Sequence, residues 1–301
     1  MNEAIKYFSI IFLSMLTLTA CGKDASNSQD ASAKQSVTNE SAVTRLRVGF
    51  PPDENPKEII RKNQPLMEYL KKETGIKEID IVVPETYTAA VEEMGKGNLD
   101  VVYFGGLTYV LAKSELDITP FARGTAEGTP ENFSLIIARV DSNISSLQDL
   151  KGKSFAFGDV ASTSGHLIPH KGLLNVNIDP NKDMKSLVYT GAHDKTALAV
   201  FNREVDAGAM NARLFPKMVA RGQLDKSKLV ILWKSDPFAD YPWAARSNLG
   251  PEVIAKLRDA FVNLKDPSLL SLLGVEGYES TSDKDFDNIR QAAQALGFMG
   301  D

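Results

Sequence analysis

Strand-like and helix-like stretches alternate from residue 45 onward, and this alternation constrains the fold more than any other feature of the chain. "RLRVGF" reads as a strand and "PPDENP" as a turn-rich loop. "KEIIRKNQPLMEYLKKETG" carries Ile59, Ile60, Leu66, Met67 and Leu70 near helical spacing, with Pro65 interrupting the run and Gly75 closing it. "EIDIVVP" is a strand, "YTAAVEEMGKGNLD" a helix ending at glycines, and "VVYFGG" a strand whose end meets the helix "LTYVLAKSE". The β-α-β-α-β order predicts a parallel α/β sheet.

A second unit of the same kind follows. "ENFSLIIARVDS" is a long apolar strand, "SLQDLKGKSFAFG" a turn and strand, and "KSLVYTG", "HDKTALAVFNRE" and "VDAGAMN" continue the alternation. Two helices, "PEVIAKLRDAFVNL" and "DKDFDNIRQAAQAL", close the chain. The expectation is two α/β domains, residues 45–135 with 238–301 and residues 136–237, crossed by extended segments near 134–140 and 230–240. A double crossing makes a hinge, and ligands of open α/β sheets bind beyond the carboxyl ends of the strands.

The N-terminus is of a different kind. Residues 1–20 have a short polar start and an apolar run too short to span a membrane, as a signal peptide does. Leu18-Thr19-Ala20-Cys21 resembles a bacterial lipobox, and Cys21 is the only cysteine of the chain. Cys21 is therefore the expected lipidation site, residues 21–44 a flexible tether, and the body a leashed protein outside the cytoplasm. With no second cysteine there is no disulfide framework. The net charge of −5 and the lack of a long basic run argue against a nucleic-acid partner.

The stretch "DVASTSGHLIP" holds the densest candidate site. Ser162, Thr163 and Ser164 stand in a row, followed by Gly165, where a buried strand gives way to a helix. A helix start presents unpaired N–H groups and the positive end of its dipole, so it attracts anions. One Ser or Thr suffices for capping; three exceed it. No Lys or Arg lies between Lys153 and Lys171, so neutral dipoles would hold the anion. His193 stands at a similar junction in "YTGAHDKTALAV", with Asp194 and Thr196 beside it.

On these motifs the chain resembles the solute-binding proteins of phosphonate-type ABC importers. The resemblance covers about residues 46–298 and rests on "PLMEYLKKETG", "YTAAVEEMGKGNLDVVYFGG", "DLKGKSFAFGDVASTSGHLIP", "GAHDKTALAV", "VDAGAMN" and "SDPFADYPWAAR". It implies the two-domain type II periplasmic-binding fold and a tetrahedral oxyanion held by Ser162, Thr163, Ser164 and His193, with Tyr87 closing from the first domain. Tyr241 joins that set, and Tyr103, Asn132, Asn211 and Arg213 are further candidates. Where relatives place acids around an ammonium group, this chain has Arg213 and Tyr241, so phosphite or a short alkylphosphonate without an amine is expected, with selenate or phosphate as alternatives. The implied partners are the importer's permease and ATPase and, through the lipid, a membrane. A monomer without cofactor or metal is expected.

An enzyme on the same fold is the rival class. Asp194 adjoins His193 and is poorly placed to orient it for a triad with Ser162. His166 and His170 have i,i+4 spacing, but Pro169 intervenes and no HExxH context exists.

Overall fold

The computed structural model describes residues 43–126 and 128–300. The leader, Cys21 and most of the tether lie outside the described residues. In chain order the elements are β1 (Arg45–Gly49), α1 (Pro56–Thr74), β2 (Glu78–Val82), α2 (Tyr87–Gly95), β3 (Val101–Tyr103), α3 (Gly106–Glu115), β4 (Ile118–Thr125), β5 (Glu131–Asn132), β6 (Ser134–Arg139) and β7 (Ser154–Phe157). Then come α4 (Ile168–Asn175), α5 (Pro180–Asp183), β8 (Ser186–Tyr189), α6 (His193–Phe201), β9 (Ala207–Asn211), α7 (Leu214–Ala220), β10 (Leu229–Lys234) and β11 (Phe238–Ala239). The chain ends with β12 (Pro242–Arg246), α8 (Pro251–Val262), α9 (Pro267–Leu273), β13 (Gly277–Ser280) and α10 (Asp287–Ala295).

The strands form two main sheets, a six-stranded one in the order β13-β4-β12-β3-β1-β2 and a five-stranded one in the order β10-β6-β9-β7-β8. Both are mixed, which corrects the expectation of a parallel sheet. Only β1 with β2 and β3, and β7 with β8 and β9, run parallel. Parallel neighbours need helical crossovers. Strands delivered by the passage between the sheets, such as β6 and β12, enter antiparallel to their neighbours.

The passage itself also differs from expectation. Residues 134–139 and 229–234 are not crossings but adjacent strands of the five-stranded sheet, paired antiparallel. The chain passes just outside them, through a ribbon in which Phe238 faces Asn132 and Ala239 faces Glu131. A buried strand and an apolar crossing read alike in sequence, and most of β6 is buried.

Helix α1 runs unbroken through Pro65, against the expected interruption. A proline removes one backbone donor, and the buried face of Ile59, Leu66, Met67 and Leu70 holds the helix despite it. Asn55 caps it by accepting the Lys57 N–H at 3.0 Å, and Gly75 ends it at φ 76°. Ile60, read as part of the apolar face, is exposed. Among the described residues no helix is long and apolar enough to cross a membrane.

Candidate functional site

Strand β7 delivers the hydroxyl run. Ser162 adopts an extended conformation and its Oγ accepts the Gly165 N–H at 3.0 Å, which makes it the cap. Residues Thr163–Leu167 then form one π-helical turn, with the Leu167 N–H donating to the Ser162 carbonyl at 3.0 Å. Pro169 explains part of this geometry. It has no N–H to offer the Gly165 carbonyl four residues back, and that carbonyl instead accepts the Gly158 N–H at 2.9 Å. The turn is thereby sewn to the end of β7. Gly165 is needed for close approach: a Cβ there would lie 2.9 Å from His193 Cε1 and 2.9 Å from Ser162 Oγ.

The three hydroxyls have three different roles. Ser162 accepts as the cap. Thr163 Oγ1 accepts the Leu107 N–H at 2.7 Å, reaching the first turn of α3 beside the other sheet. Thr108 reinforces that contact by donating to the Ala161 carbonyl at 2.9 Å. Ser164 Oγ is buried with no hydrogen-bond partner. A hydroxyl that accepts still has its own proton to donate, so each of the three keeps a donor proton.

His193 opens α6, and its N–H donates to the Asp53 carbonyl at 3.0 Å. Its ring is buried, with Nε2 3.4 Å from the Tyr241 hydroxyl and Nδ1 without a partner. Burial holds the imidazole down to about 4, against an opposing pull from Glu54. The ring is therefore neutral near pH 7. Asp194 does not orient it; the Asp194 carboxylate accepts the Lys195 N–H at 2.7 Å.

Tyr87 opens α2, capped by Thr86, whose Oγ1 accepts the Ala89 N–H at 3.0 Å. Its hydroxyl is buried and unpartnered. The Tyr87 and Ser164 hydroxyls both lie close enough to the Tyr241 phenol to influence its ionisation. Burial pushes both phenols well above their ordinary value, so each keeps its O–H. Tyr87, Ser164, His193 and Tyr241 thus converge from four segments, and three of them bring atoms with unused hydrogen-bonding capacity.

A cavity of about 90 Å³ opens beside His193 and Tyr241, and Tyr103, Asn132, Asn211 and Arg213 also line it. Tyr87 and the hydroxyl run are not part of that lining; the His193 ring and the Tyr241 phenol connect the two regions. Tyr103 packs its ring 4.9 Å from Trp243 and 5.2 Å from Tyr241, an aromatic wall. Phe104 is core. Arg213 is an ion-pair partner of Asp240 and bonds the Glu131 carbonyl, and Asn132 donates to Asp240 at 2.9 Å. These two residues fasten the ribbon.

Sequence reasoning placed no acid in this cavity, and that is corrected: Asp53, Glu54 and Asp240 line it. Glu54 is bound to Lys62 at 2.8 Å and Arg221 at 2.7 Å. Burial pushes its carboxyl up, but the two cations together hold it below the usual range. Asp53 has no such partner, and burial raises its carboxyl to about 7. "PPDENP" gives no hint of this, because the loop reaches the site through the long-range bond to His193. His166 donates from Nδ1 to the Val160 carbonyl at 2.8 Å and touches His170 and Tyr189 in an aromatic cluster, and burial holds it down to about 4. Among the described residues no group of three His, Cys, Asp or Glu could hold a metal.

Residues 48–286 match the family described as "ABC transporter, phosphonate, periplasmic substrate-binding protein". The "Phosphate-import protein PhnD" of Mycolicibacterium smegmatis is 33% identical over 87% of this chain and 89% of its own. The structure of PhnD1 from Prochlorococcus marinus in complex with methylphosphonate superposes with a TM-score of 0.79 at 25% identity, covering 85% of this chain and 99% of that one. A binding component of an ABC phosphonate transporter from Pseudomonas aeruginosa gives a TM-score of 0.77 at 27% identity, over 82% of this chain and 85% of that one. The two mixed sheets joined by a ribbon are thus the two-domain type II periplasmic-binding fold. The chain belongs to the periplasmic substrate-binding proteins of phosphonate ABC transporters.

Proposed function

We propose that the protein captures one small tetrahedral oxyanion, phosphite or a short alkylphosphonate without an amine, and presents it to the permease and ATPase of an importer. The observation that carries this reading is the convergence of buried, unpartnered Tyr87 hydroxyl, Ser164 Oγ and His193 Nδ1 at three helix starts. Buried polar atoms are almost always paired, so three orphans in one place mark where a ligand's oxygens belong. The complex of PhnD1 with methylphosphonate supports the same choice. Phosphate is a second reading, favoured by the name of the Mycolicibacterium relative.

Calorimetry with phosphite, methylphosphonate, ethylphosphonate, aminoethylphosphonate, phosphate, sulfate and selenate tests the proposal. Phosphite or methylphosphonate should bind tightest. Binding of none of them, or strongest binding of aminoethylphosphonate, would sink it. The protein acts as a monomeric carrier and not as an enzyme, so phosphorus NMR of the same mixtures should return every ligand unchanged. Residues 45–135 with 238–301 and residues 136–237 act as two domains that close about the ribbon. Cys21 carries a lipid after removal of residues 1–20, and Cys21→Ser should move the protein out of the membrane fraction.

A further inference from the structure

Asp53 is pinned but chemically unused. Its carbonyl accepts the His193 N–H at 3.0 Å, which fixes the loop after β1 against the start of α6. Its side chain lines the cavity with His193, Tyr103 and Tyr241, and its charge is felt at the phenols of both Tyr87 and Tyr241. The neighbouring acids are all engaged: Glu54 by Lys62 and Arg221, Asp240 by Arg213 and Asn132, Asp159 by the Ala161 N–H, and Asp194 by the Lys195 N–H. The Asp53 carboxyl makes no hydrogen bond or ion pair with the described residues. Lys62 on α1 and Lys217 on α7 draw it toward the charged form, and Glu54 and Asp194 oppose them.

A bare carboxylate beside a bare oxyanion is a repelling pair. One proton between them turns that repulsion into a charge-assisted hydrogen bond. Building on the oxyanion reading above, we infer that Asp53 is the specificity-determining residue of the site: its carboxyl shares one proton with the bound oxyanion. The site thereby prefers ligands that still hold an acidic O–H near neutral pH, namely phosphonate, phosphite and phosphate, over fully ionised sulfate and selenate. The exchange balances simply. Either the ligand brings the proton on its own oxygen, or Asp53 brings it; no other bond changes. With sulfate the proton must stay on Asp53 or come from solvent, and that becomes harder as pH rises past the range where the carboxyl titrates.

The test is calorimetry of the mature wild type and Asp53→Asn with methylphosphonate and sulfate, from about pH 6 to about pH 9. Wild type should prefer methylphosphonate, and its sulfate affinity should fall toward about tenfold per pH unit above neutrality, the signature of one linked proton. In Asp53→Asn the sulfate slope should vanish and the preference for methylphosphonate should shrink about 10- to 150-fold, the range for a hydrogen bond to a charged group. An unchanged preference in the variant, or a flat sulfate profile in the wild type, overturns the inference. The wild-type profile needs no variant to fold. Selective loss of aminoethylphosphonate binding in Asp53→Asn also overturns it, because the carboxylate would then be an amine partner. If the wild type binds none of these oxyanions, the functional reading fails instead.

Discussion

Ser164 and His193 are the side chains where structure and ligand chemistry separate most cleanly. Ser162 and Thr163 each hold part of the fold, whereas Ser164 Oγ bonds nothing in the protein. Ser164→Ala should therefore lower oxyanion affinity about 10- to 150-fold while leaving the melting temperature of the ligand-free protein unchanged or raised. Calorimetry beside thermal melting checks both halves; a variant that melts lower and binds as before refutes the role. For His193 the sign follows from burial, which depresses the folded value from 6.5 to about 4. The neutral ring's contribution to stability is whole above the ordinary value and fades as pH falls toward the folded one. His193→Gln has no such loss. Melting curves should shift in the variant's favour, relative to wild type, as pH drops through that window, and a constant difference would contradict a buried neutral ring.

At the scale of elements, the turn from β7 into α4 decides the site. A Cβ on Gly165 would press on both His193 and Ser162. Gly165→Ala should cost about 1–3 kcal/mol of stability by overpacking and also weaken binding, since the ring must move. Denaturant melts and calorimetry on this variant should both respond; unchanged affinity would show that the ring position does not matter. Much of this turn is legible in the sequence. Strand-like "KSFAFG" followed by hydroxyls and Gly165 marks a helix start, and Pro169 signals an irregular one. The π turn itself is not legible, because it depends on the Gly158 N–H taking over the carbonyl that Pro169 leaves free. Nor is the course of α1, where packing overrides Pro65. Asp53 is the largest omission: its place depends on a main-chain bond to a residue in the other half of the chain, and no local pattern encodes such a bond. Arg213 does line the cavity, but its ion pair with Asp240, another lining residue, is a long-range contact that no local pattern encodes either.

Across the whole molecule, hydrogen bonds and ion pairs near the site join residues 45–135 to residues 136–237. The Leu107 N–H on Thr163, Thr108 on the Ala161 carbonyl, the His193 N–H on the Asp53 carbonyl, and Arg221 on Glu54 all bridge them. The Thr108 hydroxyl donates to the Ala161 carbonyl, so Thr108→Val, close in shape, removes that bridge. Its loss should speed ligand release about 2- to 13-fold, the worth of one ordinary hydrogen bond, with association unchanged. Stopped-flow dissociation measures this, and an unaltered release rate would mean that the bridge does not hold the halves together around a ligand.

Strand β12 has a consequence in time. It lies between β3 and β4, at the middle of the six-stranded sheet, yet it comes from residues 242–246. The five-stranded sheet is drawn wholly from residues 134–234, one contiguous stretch. A chain emerging from the ribosome can therefore finish its second half while its first half still lacks its central strand. Domains generally form as units in order of synthesis, but here the strands of the first sheet are complete only after those of the second, because β12 lies late in the chain. Until that strand arrives, β3 and β4 have open edges and the first half cannot lock. Which sheet first has all its strands is thus written into the strand order itself.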